Sequence, residues 1–291
     1  MTRWLVTGAA GMLGRDLTAL LSARGADVTG LDRAALDITD AAAARAALGA
    51  CEPDVVVNCA AWTAVDDAES AEEAALAING HGAAHLAAAC RETGAALVQV
   101  STDYVFDGTA SAPYPEDHPP APRTAYGRTK LAGEQAVLSA LPDSGYVVRT
   151  AWLYGAHGRN FVATMIARAR AGAPVTVVDD QHGQPTWTAD VARQIHALVT
   201  SGAPAGIYHA TSSGHTTWHE LAREVYTLAG ADPALVSPVP TSAYPRPAPR
   251  PAYSVLGHDT WGKADIEPIG DWQDALHRAF PAILAQATMA S

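Results

Sequence analysis

A chain of 291 residues that is 48% hydrophobic is long enough to bury a sizeable core, as one large domain or two modest ones. Its net charge of −11 excludes the clustered Lys and Arg surface on which sequence-independent binding of nucleic acid or anionic membrane depends, so an anionic ligand must be held by local donors. Cys51, Cys59 and Cys90 show no CxxC spacing, which argues against a disulfide framework or a zinc site. Reduced thiols, with neither a secretory signal nor an apolar run of ~18 residues, predict a cytoplasmic protein without a membrane span.

The first predicted strand, RWLVTG (3–8), runs straight into TGAAGMLG, with glycines at 8, 11 and 14, and then into a helical stretch over 11–24. Glycine at these positions permits a tight turn and lets the backbone approach a pyrophosphate at the helix N-terminus, where unpaired N–H groups and the helix dipole favour negative charge. Met12 and Leu13, between the second and third glycines, are expected to bind the cofactor with them. The second predicted strand, ADVTGLD (26–32), places Asp32 24 residues after Gly8, close to the spacing of about 20 at which an acidic side chain binds an adenosine ribose. Context thus favours a dinucleotide over a glycine-rich turn that binds nothing. Arg33 can accept a 2′-phosphate that Asp32 would repel, which leaves NAD and NADP both open. In LDITD, Asp37 and Ile38 either frame the adenine or belong to a helix cap.

Further strands are predicted over DVVVNCA (54–60), AALVQVS (95–101) and YVVRTAW (146–152), with an Ala-rich helical stretch over 70–93. Alternating strands and helices predict an α/β fold, a Rossmann-type doubly wound parallel sheet over residues 1–150. Residues 151–291 are expected to form mainly a smaller α/β substrate-binding domain, some segments returning to the first. Its elements fall at 161–171, 189–200, 217–229 and 271–286. The proline-rich PRPAPRPAYS (245–254) is predicted irregular, either a rigid loop near a ligand or a plain surface connection.

Two more segments carry chemistry. TAYGRTK (124–130) sets Tyr126 and Lys130 four residues apart, on one face of a helix. An ammonium favours the phenolate and so is expected to lower the phenol pKa, making Tyr126 a usable acid, while Lys130 can also reach nicotinamide ribose hydroxyls. STDYVFDG (101–108) begins at a strand end, where open α/β sheets place ligands. Its Thr102 hydroxyl can share the substrate oxygen. An exposed helix face is the plain alternative for Y-x-x-x-K, and the strand-end threonine weighs against it.

Glycine loop, strand-end threonine and helical Tyr and Lys, in this order, resemble the extended short-chain dehydrogenase/reductase family. VVNCAAWTAVDDAE (56–69), STDYVFDG, YGRTKLAGE (126–134), VRTAWLYG (148–155), NFV (160–162) and VVDDQHGQPTW (177–187) resemble its dTDP-4-dehydrorhamnose reductase branch, over nearly the whole chain. The resemblance implies hydride transfer from NADPH, or NADH, to the C4 ketone of a dTDP-linked keto sugar. Tyr126 would protonate the oxygen, Lys130 would tune it and Thr102 would hold the carbonyl. It also implies that Val65, Asp103, Tyr104, Phe106, Trp152 and Asn160 line the sugar nucleotide, with Asn58, Ala60, Ala61 and Asn79 along the cofactor cleft.

From the residues alone, Phe106 reads equally as core, Asn160 as a helix cap, and Asp190 as a cap first. Tyr253 stands where the rhamnose branch is expected to carry asparagine. Some relatives bind magnesium at a dimer contact; Asp16 matches one acidic position and no other is found, so no metal ligand is assigned, and a homodimer is open. A 4,6-dehydratase would carry Asp-Glu after the strand-end threonine, where this chain has Asp103 and Tyr104. An epimerase on the same scaffold, or a non-catalytic subunit like the regulatory subunit of methionine adenosyltransferase, is the remaining alternative.

Overall fold

The computed structural model describes residues 2–289, with side chains through residue 287. Its first half alternates β1 (Arg3–Thr7), α1 (Met12–Ala23), β2 (Asp27–Leu31), α2 (Ala41–Cys51), β3 (Val55–Asn58), α3 (Val65–Ala68), α4 (Glu72–Leu76), α5 (Ala83–Thr93), β4 (Ala96–Thr102), α6 (Ala125–Ala140) and β5 (Gly145–Thr150). There follow β6 (Leu153–Tyr154), α7 (Phe161–Arg170), β7 (Val175–Val178), β8 (His182–Gly183), β9 (Thr186–Trp187), α8 (Thr188–Thr200), β10 (Gly206–His209), β11 (Thr216–Thr217), α9 (Trp218–Leu228), β12 (Val236–Val239), α10 (Asp259–Lys263) and α11 (Trp272–Met289).

The central sheet has six parallel strands in the order β10-β5-β4-β3-β1-β2. Strands buried on both faces read as apolar runs, as VVVN of β3 does. One face packs Trp4, Val6 and Val148 against Leu17 and Leu21 of α1 and Val191 and Ile195 of α8. The other packs Leu5, Val56 and Leu97 against Leu48, Leu86 and Val137 of α2, α5 and α6. A separate core, with Val162, Ile166, Leu221, Val225, Leu276 and Phe280, unites α7, α9 and α11. Strand order reverses at β1, with β2 on one side and β3 on the other, and the crevice beyond the carboxyl ends of β1 and β3 is where such sheets take ligands.

Two expectations change, and one strand is added to those expected. The sixth strand, β10, comes from the second half and is only four residues long, GIYH, too short to stand out between Gly and Pro loops. The helical stretch 70–93 is interrupted by a π-helical segment, Ala77–Gly82. The fifth strand stops at Thr150 because Trp152 has φ 48°, outside any strand conformation. Among the described residues no helix is long and apolar enough to cross a membrane.

Candidate active site

The glycine loop is built by close backbone approach. Gly8 has φ 65°, and a Cβ there would lie 2.6 Å from the Ala60 nitrogen. A Cβ on Gly14 would lie 2.4 Å from the Gly8 carbonyl oxygen, so only glycine lets α1 start this near β1. Gly8, Gly11, Asp32, Arg33, Asp37, Ile38, Ala60 and Ala61 line a cavity of about 250 Å³. Through Gly11, Cys59 and Ala61 it adjoins a larger one of about 670 Å³. Asp32 Oδ1 accepts from the Ala34 and Ala35 N–H groups, both at 3.0 Å, which fixes the carboxylate at the mouth beside exposed Arg33. Asp37 accepts from the backbone and hydroxyl of Thr39, and those bonds hold its carboxyl below the usual range. The cap of α2 is Asp40.

The larger cavity gathers Met12, Leu13, Val65, Thr102, Asp103, Tyr104, Tyr126, Lys130 and Trp152. Thr124 caps α6 by accepting from the Gly127 N–H at 3.0 Å, which sets the first turn carrying Tyr126. A Cβ at Gly127 would sit 2.2 Å from the Tyr104 carbonyl oxygen, so the glycine inside TAYGRTK lets this turn pack directly on the 103–105 segment. Tyr126 and Thr102 thereby line the same cavity, and the Tyr104 ring meets Tyr126 edge-on at 5.6 Å. Thr102 Oγ1 also donates to Asp103 Oδ1 at 2.9 Å.

Lys130 is anchored on β4. Its Nζ donates to the Val100 carbonyl oxygen at 2.6 Å. Burial pushes the Tyr126 phenol up to about 12, against the Thr102 hydroxyl, which lowers it. The expected lowering by lysine does not appear: burial raises the phenol, the neighbouring Asp103 carboxylate adds to the rise, and the Thr102 hydroxyl alone opposes them. Burial also brings Lys130 down to about 8, opposed by Glu134. Asp103, again by burial, rises to about 6.

Other candidates fall elsewhere. Asn79 is buried away from both cavities; its amide accepts from the Trp62 N–H at 2.9 Å and donates to the Trp62 carbonyl and to Thr129 Oγ1, pinning the 60–63 loop to α6. Phe106 stacks on Tyr114 at 4.4 Å beneath the Arg149 guanidinium, a core position that touches only a small side cavity. Asn160 caps α7, accepting from Ala163 N–H at 2.9 Å. Asp190 is not a cap: it sits inside α8 and pairs with Arg193 and Arg278. Asp16 accepts from the Thr188 hydroxyl, and among the described residues no group of three or more His, Cys, Asp or Glu is placed to hold a metal ion.

Several lining groups carry no local sequence signal. Ser101 Oγ and Thr150 Oγ1, of residues lining the larger cavity, are buried and have no hydrogen-bond partner within the protein, as groups reserved for a ligand would be; Oδ2 of Asp103, which the resemblance does name, is unpartnered in the same way. Arg250, from the proline-rich segment, reaches the cavity and forms a bidentate pair with Asp66 at 2.9 and 2.8 Å. That segment is thus a strap over the site, fixed further by Pro251 packing on Gly108. Trp218 lines the same space.

The family model described as RmlD substrate binding domain matches residues 2–284. The chain belongs to this family. Among RmlD-family relatives, it is 60% identical over 289 residues to the dTDP-4-dehydrorhamnose reductase of Streptomyces griseus, covering 98% of the chain and 95% of the relative. It is 54% identical over 283 residues to the dTDP-4-keto-6-deoxy-D-glucose reductase of Streptomyces niveus, covering 97% and 98%. The crystal structure of dTDP-4-dehydrorhamnose reductase from Bacillus anthracis str. Ames in complex with NADP superposes with a TM-score of 0.92 at 37% identity, covering 96% of this chain and 99% of that one.

Proposed function

We propose that this RmlD-family chain is an NADPH-dependent sugar-nucleotide ketoreductase that reduces the C4 ketone of a dTDP-4-keto-6-deoxy-L-hexose, giving dTDP-L-rhamnose or a related deoxysugar. The observation that carries the reading is the meeting of Thr102, Tyr126 and Lys130 in one cavity adjoining the glycine-loop cleft. The sheet of the first 150 residues, completed by β10, holds the cofactor; the remaining segments and the strap hold the sugar nucleotide. Three unpaired cysteines suit a cytoplasmic enzyme.

The cleft fits a dinucleotide: a Cβ at Gly11 would lie 3.1 Å from the Gly8 carbonyl oxygen, where backbone must approach a pyrophosphate. Gly8, Gly11, Met12 and Leu13 would hold the phosphates, Asp32 and Arg33 the adenosine ribose. NADPH, when bound, supplies the hydride. The chain's part is to bind the ketone oxygen with the Thr102 hydroxyl, deliver the Tyr126 phenolic proton to that oxygen, and offset the negative charge left behind with Lys130.

Mixing the protein with NADPH and dTDP-6-deoxy-L-lyxo-4-hexulose should consume nicotinamide absorbance and yield a 4-hydroxy sugar identifiable by NMR. Absence of consumption by folded protein would remove this reading. Asp32→Ala should weaken NADH about tenfold more than NADPH, as loss of a charged hydrogen bond to the ribose does; equal losses in KM would instead assign the ribose to Arg33.

Lys130 also sets a pH dependence. Its folded value of about 8 lies below the ordinary 10.5, so the unfolded chain binds more protons between those values and the lysine's contribution makes stability rise with pH there. Activity depends on the ammonium and runs the other way. kcat/KM should fall as pH rises through about 8, measurable as a rate profile alongside urea midpoints; a rate unchanged up to pH 10 would remove Lys130 from this role.

A further inference from the structure

We infer that Trp218, with Gly183, is a positioning residue that holds Trp152 as a fixed aromatic wall of the sugar-nucleotide half of the cavity, an inference that rests on the reductase reading above. Trp152 joins β5 to β6 with φ 48°, a left-handed conformation that a bulky side chain adopts only under constraint from its surroundings. The constraint is visible in two contacts of the indole. Trp218 stacks on it with ring centroids 3.6 Å apart and planes within 10°. On Gly183, a Cβ would lie 2.3 Å from Trp152 Cε2 and 2.6 Å from its Nε1.

Short strand pairings bring these three residues together. The Thr186 N–H donates to the Trp152 carbonyl oxygen at 3.2 Å, just before β6 pairs with β9. Gly183 of β8 lies opposite Thr216 of β11, and Trp218 follows that strand as the first residue of α9. Phe161, at the start of α7, meets Trp218 edge-on with ring centroids 4.7 Å apart. Trp152 and Trp218 both line the larger cavity. A flat apolar surface locked before binding takes the apolar face of a sugar or pyrimidine without ordering a side chain on arrival. Glycine at 183 is needed here for room, since its φ is not in the positive region.

The test is a KM-against-kcat comparison on the full chain, with dTDP-6-deoxy-L-lyxo-4-hexulose and NADPH varied separately. Trp218→Ala should raise KM for the keto sugar about tenfold or more, with KM for NADPH within about twofold and kcat changed less than the sugar KM. Trp218→Phe, which keeps a flat ring, should recover most of the loss. Gly183→Ala should reproduce the Trp218→Ala pattern with Trp218 intact, and it carries the test if Trp218→Ala does not fold. Far-UV circular dichroism should show the couplet of two stacked indoles in the native enzyme and its loss in Trp218→Ala. Loss of the couplet with an unchanged sugar KM, or equal rises in both KM values, would overturn the inference while leaving the reductase reading in place. A wild-type enzyme that does not turn over the keto sugar would remove both.

Discussion

Tyr126→Phe is expected to lower turnover of the keto sugar by about 10²- to 10⁴-fold, the usual contribution of a positioned proton donor, while NADPH affinity stays within about twofold. The phenylalanine ring keeps the edge-on contact with Tyr104 and leaves the Thr124 cap of α6 untouched, so the cleft should be unchanged in shape. What is lost is the proton that must reach the new alkoxide. Burial holds the phenol at about 12, so Tyr126 enters the reaction as the protonated donor over the whole working range. Giving up that proton is the harder half, and Thr102 acts there by making the phenolate tolerable. Stopped-flow measurement of hydride transfer, beside direct titration of NADPH, separates the two quantities. Turnover at the wild-type rate would remove Tyr126 from the chemistry and with it the order of events given above.

What the sequence made legible was whatever local geometry dictates. Gly8 and Gly14 declare themselves because a strand must turn into a helix within a few residues, and Tyr126 and Lys130 because four residues make about one helical turn. The sequence is silent where a side chain answers to something distant. Nothing near Lys130 announces that its ammonium bonds the Val100 carbonyl, nor anything near Asn79 that its amide clasps the backbone of Trp62. Phe106 lies two residues beyond Tyr104 yet belongs to the core, because the short helical turn at 103–105 rotates it under Arg149. Arg250 and Trp218 reach the cavity from more than 60 residues further along the chain than Trp152, Arg250 through a strap whose prolines mark a rigid loop without naming its partner, Trp218 through a strand pairing that no local pattern encodes.

Glu134→Ala should cost about 3–5 kcal/mol of folding stability, the range for removing one partner of a buried ion pair. Glu134 and Arg149 are both almost fully buried, and the guanidinium bonds the carboxylate twice, Nε to Oε1 at 3.0 Å and Nη2 to Oε2 at 2.7 Å. The remaining nitrogen donates to the Glu116 carbonyl at 3.3 Å. Removing the carboxylate strands a cation between β5 and α6 with no water to solvate it. The same residue lies one helical turn beyond Lys130 and favours its charged form, so a second effect follows from the first substitution. Without Glu134, the ammonium should lose its proton at lower pH and the alkaline fall in kcat/KM should begin below about 8. The double variant Glu134→Leu with Arg149→Met separates these effects, because an apolar pair of similar volume recovers much of the stability but cannot restore the charge. Its urea midpoint should return toward wild type while its pH profile stays shifted. A profile that returned together with the midpoint would mean that the pair only supports the fold, and that the charge on Lys130 is set by the cavity alone.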